Sequence, residues 1–249
     1  MSKNLLFLRS LLFLTALYAF TLVWGMICLL AFFFPYRARF RLATCWNRTV
    51  IWLAKCICGI RYQVIGSENL PDEPVILLSK HQSAWETIFF LYAMPKPLVF
   101  VLKKELLRIP FFGWTLTLLR MIPIDRSHGA KAFRKVIDEG RKRLREGLWI
   151  IIFPEGTRTA VGEKAKYRNS GTRLAIETKT KVVPVALNSG ECWPRNSIIK
   201  KPGLITVSIG HPISPEEKSP DDMMLEVENW IESEMHRISP HAYRNTDQT

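Results

Sequence analysis

Acidic residues are scarce in this chain. Its 249 residues hold 22 Asp and Glu against 35 Lys and Arg, a formal net charge of +13. That balance narrows the partners to nucleic acid, an anionic membrane surface or acidic small substrates. Zinc-finger spacing and the aromatic signature of RNA-binding modules are both missing, which argues against nucleic acid. Cysteine is sparse and odd in number: Cys28, Cys45, Cys56, Cys58 and Cys192. The Cys56-x-Cys58 pair is too tight for a zinc knuckle and has no His/Cys partner cluster, so no metal site is expected. The five read as reduced thiols of a cytosol-facing domain. There is no internal repeat and no Gly-x-Ser-x-Gly elbow. A hydrophobic content of 48% with 15 prolines excludes disorder and calls for one packed domain plus an appendage.

Charge is missing altogether from Ser10 to Phe34, an uncharged run of 25 residues. A bilayer crossing needs about 20. The run exceeds a signal-peptide core and no A-x-A site follows it. Lys3 and Arg9 precede it, while Arg37, Arg39 and Arg41 follow Pro35. If the helix spans, the greater positive charge places its carboxyl end on the cytoplasmic side. A second helix is expected from Phe40 to Cys58, with Trp46, Val50, Leu53 and Ile57 on one stripe and Arg48 and Lys55 off it. Its aromatics suit the membrane surface, and the alternative is a core helix of the domain. Residues 1–58 thus read as a two-helix membrane anchor and 241–249 as a tail.

From Ile60 the pattern becomes short β-type runs alternating with helices. Strands are expected at Tyr62–Ile65, Val75–Ser79, Leu98–Leu102, Met121–Ile124, Leu148–Phe153, Val182–Leu187 and Leu204–Ile209. An amphipathic helix carries Phe133, Val136, Ile137 and Leu144 on its stripe and stops at Gly147. The last helix starts with Ser219 as N-cap and Pro220 at its first position, and buries Met224, Val227, Ile231 and Met235. The fold class is therefore α/β: a single domain over 59–240 around a mixed, roughly seven-stranded sheet flanked by helices.

Four clusters carry chemistry. The first is Ser79-Lys80-His81-Gln82-Ser83-Ala84-Trp85-Glu86-Thr87, at a strand-to-helix corner with Ser83 as a candidate N-cap. Within one regular helix, residues five apart sit about 140° around the axis. His81 and Glu86 can meet only if His81 precedes the helix and Glu86 lies in its first turn. A neutral imidazole so placed accepts a hydroxyl proton, and a carboxylate on its other nitrogen fixes the tautomer. Local capping alone would also explain Glu86.

The second cluster is Lys103-Lys104-Glu105-Leu106 with Ile109-Pro110-Phe111-Phe112-Gly113-Trp114. It presents cations at a strand end, inside a stretch, Lys96 to Glu146, with 13 Lys/Arg against 5 Asp/Glu (net +8). The third is Phe153-Pro154-Glu155-Gly156-Thr157-Arg158-Thr159. There Gly156 permits close backbone approach, Arg158 offers a fork for phosphate oxygens, and Glu155 could hold a hydroxyl or orient Arg158. A surface turn with an ion pair is the alternative. The fourth is Val183-Pro184-Val185-Ala186-Leu187-Asn188, whose proline by itself indicates an edge strand or a bulge.

Together these blocks, from Ile60 to Gly210, resemble the glycerolipid acyltransferases with a His-x-x-x-x-Asp motif, and most closely the bacterial lysophosphatidic acid acyltransferases. The resemblance implies acyl transfer from acyl-CoA or acyl-carrier protein to the free hydroxyl of lysophosphatidic acid, giving phosphatidic acid. His81 would act as the base and Glu86 as its carboxylate, with direct attack on the thioester and no acyl-enzyme. Lys104 with Arg158 would bind the acceptor phosphate. Glu155, Gly156 and Thr157 would shape the acceptor pocket, and Pro184 would support donor binding. No cofactor beyond the donor substrate is implied. Membrane lipid is the expected partner, and the inner membrane of a bacterium, cytoplasmic face, the expected location. The family's block usually ends in Asp, so Glu86 departs from it by one methylene. Two other readings remain: an acyltransferase for another lysolipid, such as a lyso-ornithine lipid or a lysophospholipid with a larger head group, and a non-catalytic lipid-binding protein.

Overall fold

The computed structural model describes residues 2–109, 112–125 and 129–243. Pro110 and Phe111 of the second cluster, and residues 244–249 of the expected tail, lie outside the described residues.

All seven expected strands are present: β1 (Ile60–Ile65), β2 (Ile76–Ser79), β3 (Leu98–Lys103), β4 (Ile122–Ile124), β5 (Trp149–Ile152), β6 (Val182–Leu187) and β7 (Gly203–Ile209). They form one sheet in the order β1-β7-β6-β2-β5-β3-β4. Every neighbouring pair is parallel except β6–β7, so the sheet is mixed. β2, β5 and β6 are buried at every position, as strands covered on both faces must be. This explains why they read as unbroken apolar runs rather than as alternating patterns.

The apolar run is helix α1 (Lys3–Leu30), and α2 (Tyr36–Leu53) follows Pro35 and widens into a π-turn over Ala54–Cys58. Only Ser10, Phe13 and Cys28 of α1 are buried, whereas Leu8, Leu12, Tyr18, Leu22 and Leu30 stand exposed. Among the described residues this is the one helix long and apolar enough to cross a membrane. Its first turns dock on the domain. Ser10 Oγ accepts from Lys200 N at 2.9 Å, and Phe13 meets Trp193 edge-on at 5.2 Å. Further along, Trp46 Nε1 donates to Thr21 Oγ1 and Trp24 Nε1 to Leu42 O, both at 3.1 Å, tying α1 and α2 into a hairpin.

α2 does not have a wholly free apolar stripe. Phe40, Ala43, Asn47, Val50 and Ile51 are buried, and Asn47 Nδ2 donates to Ile88 O of α3 (Trp85–Ala93) at 2.9 Å. Trp46, Leu53 and Ile57, expected on one lipid-facing stripe with Val50, are only partly exposed and pack against the core. The exposed side carries Arg37, Arg41, Arg48, Trp52 and Lys55 instead.

Four more helices complete the described chain before the last two. They are α4 (Phe112–Leu118), α5 (Gly129–Arg145), α6 (Ser170–Thr178) and the single turn α7 (Ser189–Cys192). Val136, Ile137 and Leu144 are the buried stripe of α5, and Gly147 at φ +77° follows its end. The last long helix, α8 (Pro220–Ile238), has the expected start: Ser219 Oγ accepts from Asp222 N at 3.1 Å. It buries Met223, Met224, Val227, Ile231 and Met235, and α9 (Pro240–Tyr243) closes the described chain.

Ala84 stands at the cap position of α3 with helical backbone and no side-chain bond, and the capping bonds come from Ser83, as expected. Ser83 Oγ accepts from Trp85 N at 2.9 Å, and Ser83 N donates to Glu86 Oε1 at 2.7 Å, the return bond of a capping box. Pro184 sits in an interior strand rather than at an edge, opposite a one-residue bulge. β6 bridges to Ile213 at Val182 and pairs with β7 only from Val185 on. Pro184 falls between these two pairings, where a missing N–H breaks no ladder.

Candidate active site

Because β2, β5, β3 and β6 run parallel, the segments that leave their carboxyl ends emerge along one edge of the sheet. Lys80–Glu86, Phe153–Thr159, Lys103–Arg108 and Asn188–Cys192 thus gather there. This is the edge at which open α/β sheets bind ligands. The fold alone converts four separate sequence clusters into one neighbourhood.

His81 precedes α3 and Glu86 is the second residue of that helix. Glu86 is fully buried, and its Oε1 lies 2.8 Å from His81 Nδ1. The same oxygen accepts from Gln82 N at 2.9 Å and Ser83 N at 2.7 Å, while Oε2 accepts from Ser189 Oγ at 2.6 Å. The capping role and the histidine contact therefore coexist in one carboxylate. A carboxylate so engaged only accepts, so the neutral ring carries its proton on Nδ1 and keeps the Nε2 lone pair. The imidazole lies flat on Phe153, with centroids 3.9 Å apart at 14°. Orientation is thus fixed through the ring face as well as through nitrogen.

The main chain of His81 is clamped too. Its N–H donates to Glu155 Oε2 at 2.7 Å, and its carbonyl accepts from Thr159 N at 2.8 Å. Glu155, expected to shape the acceptor pocket, turns inward. Its side chain is fully buried, and Oε1 meets Lys80 Nζ at 2.9 Å and Thr159 Oγ1 at 3.1 Å. Burial raises the Glu155 pKa, and the Lys80 ammonium opposes that rise without cancelling it. On Lys80, burial pulls downward, but Glu155 and Glu232 outweigh it and hold the ammonium above its ordinary value.

Gly156, Thr157 and Arg158 are less buried than Glu155. Gly156 takes φ +71°, a conformation that glycine adopts without strain, and Thr157 is exposed. Arg158 is partly exposed, and no carboxylate pairs with it among the described residues; its buried Nε has no hydrogen-bond partner. Lys104 opens the short 3₁₀ turn after β3 and lies 3.7 Å from Asp125 at the end of β4. Pro184 is buried inside β6, with its carbonyl accepting from Gly210 N at 2.9 Å. It belongs to the core rather than to the edge.

Sequence reasoning missed Lys80, Phe153, Thr159, Ser189 and Glu232 as parts of this site. The first four stand in or directly beside the quoted blocks, but residue type alone does not show which way such neighbours turn. Glu232 lies on α8, and no sequence signal links it to His81.

Fold and corner together put the chain among the α/β enzymes. More specifically, it belongs to the Acyltransferase family, which matches residues 61–188. The 1-acyl-sn-glycerol-3-phosphate acyltransferase of Pseudomonas aeruginosa is 43% identical over 242 residues, covering 95% of this chain and 94% of that one. The protein of the same name from Borreliella burgdorferi is 32% identical over 174 residues, or 70% and 69% of the two chains. The fold is similar to the crystal structure of the 1-acyl-sn-glycerophosphate acyltransferase from Thermotoga maritima. There the TM-score is 0.80 at 21% identity, over 96% of this chain and 98% of that one.

Proposed function

We propose that the chain acylates lysophosphatidic acid at its free hydroxyl to give phosphatidic acid, using a thioester donor, acyl-CoA or acyl-carrier protein. The observation that carries this reading is the His81–Glu86 pair on the same sheet edge as Arg158, a guanidinium without a carboxylate partner among the described residues. The related proteins named above share that acceptor.

In the proposed step, His81 Nε2 takes the proton of the acceptor hydroxyl as its oxygen attacks the thioester carbonyl. Glu86 holds the tautomer and stabilises the imidazolium. The carbon–sulfur bond then breaks, and the imidazolium returns the proton to the leaving thiolate. No acyl-enzyme and no metal enter this sequence. Arg158, with Lys104, holds the acceptor phosphate, and Gly156 and Thr157 line its approach. Pro184, inside β6, supports donor binding by holding the carboxyl end of that strand in place.

The exposed apolar side of α1 inserts in the membrane, and the basic side of α2, with Trp52, rests at the headgroup level. This brings an amphiphilic acceptor to the site from the cytoplasmic leaflet of a bacterial inner membrane. The test is acyl transfer by the purified full chain from long-chain acyl-CoA to lysophosphatidic acid. General-base catalysis contributes about 10²–10⁴-fold, so His81→Ala should be nearly silent. Full activity in His81→Ala would overturn the mechanism. Transfer to a different lysolipid only would keep the chemistry and change the acceptor.

A further inference from the structure

A buried ionic chain runs from the last long helix to the main chain of the base. Lys80 Nζ, with no exposure at all, lies 2.9 Å from Glu155 Oε1 and 2.8 Å from Glu232 Oε1. The Glu232 oxygen also accepts from Tyr167 OH at 2.8 Å, and Lys80 stands 5.8 Å from the centre of the Tyr167 ring. Lys80 further donates to Glu163 O at 3.4 Å. The other oxygen of Glu155 takes the His81 N–H at 2.7 Å. None of these groups touches the reacting atoms in the step proposed above.

Two carboxylates and one ammonium are costly to desolvate. Apolar residues of similar volume would usually hold a fold as well or better. What the charges supply is direction. The ammonium sits between two carboxylates and fixes the one that hydrogen-bonds the His81 amide. Glu232 ties this arrangement to α8, beyond the segment matched by the family. Oε1 of Glu155 is occupied by Lys80 and Thr159, so Oε2 can meet His81 only in one orientation.

We propose that Lys80, Glu155 and Glu232 act as one positioning unit for His81, so that α8 sets where the base stands. The inference rests on His81 being the base. An ångström-scale misplacement of a catalytic group can cost about 10²-fold in rate. Losing the unit should therefore lower kcat while leaving acceptor binding alone.

The test compares the full chain in detergent with Lys80→Met, Glu232→Gln and the double variant Lys80→Met/Glu232→Gln. Thermal unfolding, kcat and KM for lysophosphatidic acid are measured on each. Lys80→Met alone leaves two carboxylates buried without a cation, so it should unfold early. The double variant relieves that repulsion and keeps an acceptor for Tyr167, leaving Glu155 alone without a cation, so its melting temperature should recover in part. Its kcat should stay roughly 10- to 100-fold down, with KM within about twofold of wild type. Glu232→Gln, nearly isosteric, should fold normally and show a smaller kcat loss. If kcat recovers with the melting temperature, or if only KM moves, the unit is merely structural and the proposal fails. Unchanged kcat in folded Glu232→Gln would overturn it as well, even if the double variant did not fold. His81→Ala, run alongside, separates the two readings: activity there overturns the base assignment itself.

Discussion

Ser189 Oγ donates to Glu86 Oε2 at 2.6 Å, joining the start of α7 to the start of α3 across 103 residues of chain. With Oε1 already shared by His81, Gln82 and Ser83, the carboxylate is held at both oxygens. Ser189→Ala removes a hydrogen bond to a charged group, worth about 1.5–3 kcal/mol, and frees one oxygen to rotate. A roughly tenfold fall in kcat is expected, with KM unchanged. Glu86→Gln keeps an oxygen where the Gln82 and Ser83 N–H groups need an acceptor, but removes the negative charge that stabilises the imidazolium. The comparable change in a serine-protease triad costs about 10⁴ in kcat. Steady-state kinetics on the three proteins checks the ranking. Equal activity of Glu86→Gln and wild type would remove Glu86 from the mechanism.

The strands were legible because their residues leave no choice. Ile76–Ser79, Trp149–Ile152 and Val182–Leu187 are fully buried, and fully buried strands read as uninterrupted apolar runs. The His81–Glu86 contact was legible from a spacing that only a loop-to-helix corner can close. Partners distant in sequence were not. Nothing in the chain before residue 232 indicates that Glu232 will meet Lys80, because that contact exists only once α8 packs beside β6. The direction of Glu155 was also hidden. A carboxylate in a turn after a strand reads equally well as facing substrate or core, and the adjacent lysine that decides the matter is ordinarily a surface residue. Pro184 was legible in part: a bulge is one of the two places a strand proline indicates, whereas its position inside the sheet depends on β7 pairing beside it.

Arg158 and Lys104 make separable contributions in the proposed reading. Arg158 has no carboxylate partner among the described residues, whereas Lys104 shares Asp125 at 3.7 Å and is more than half exposed. The forked guanidinium should therefore carry more of the phosphate grip. Arg158→Ala should lower kcat/KM for lysophosphatidic acid by about 10- to 100-fold, from the 1.5–3 kcal/mol of a charge-assisted contact. Lys104→Ala should lower it by less. Activity toward a monoacylglycerol lacking phosphate should be unaffected by either change. An equal loss on that neutral acceptor would show that Arg158 is needed for something other than the phosphate.

The glycine of the second cluster has a steric cause. A Cβ on Gly113 would stand 2.2 Å from the carbonyl oxygen of Leu107, in backbone that has no side-chain freedom to yield. The turn after Lys104 and the start of α4 thus approach closely, and Gly113 N donates to Ile109 O at 2.7 Å. Gly113→Ala must push the two apart. Overpacking of this kind typically costs about 1–3 kcal/mol. A lower melting temperature is expected, together with a raised KM for lysophosphatidic acid as Lys104 shifts. A variant as stable as wild type would show that the turn has room to move.

Stability should decline steeply on the alkaline side, and the sign follows from the buried groups. Burial pushes Tyr243 up to about 12 and raises Tyr167 further, while the two carboxylates beside Lys80 raise it above 10.5 despite burial. Cys58 and Cys192 are likewise pushed up to about 11 by burial. In each case the folded form keeps a proton that the unfolded chain has already lost. Between the unfolded and folded values the folded state binds more protons, so unfolding free energy falls as pH rises. The window opens near pH 9 with the thiols and is dominated above about 10 by Tyr167, Tyr243 and Lys80. Tyr167→Phe removes one of these groups. It should lower stability at pH 7 by about 1 kcal/mol, for the lost bond to Glu232, yet flatten the fall between pH 10 and 12. Thermal unfolding of both proteins at pH 7, 10, 11 and 12 measures the two slopes. Parallel slopes would mean that Tyr167 ionises as readily in the folded chain as in the unfolded one, which its buried place beside Glu232 forbids.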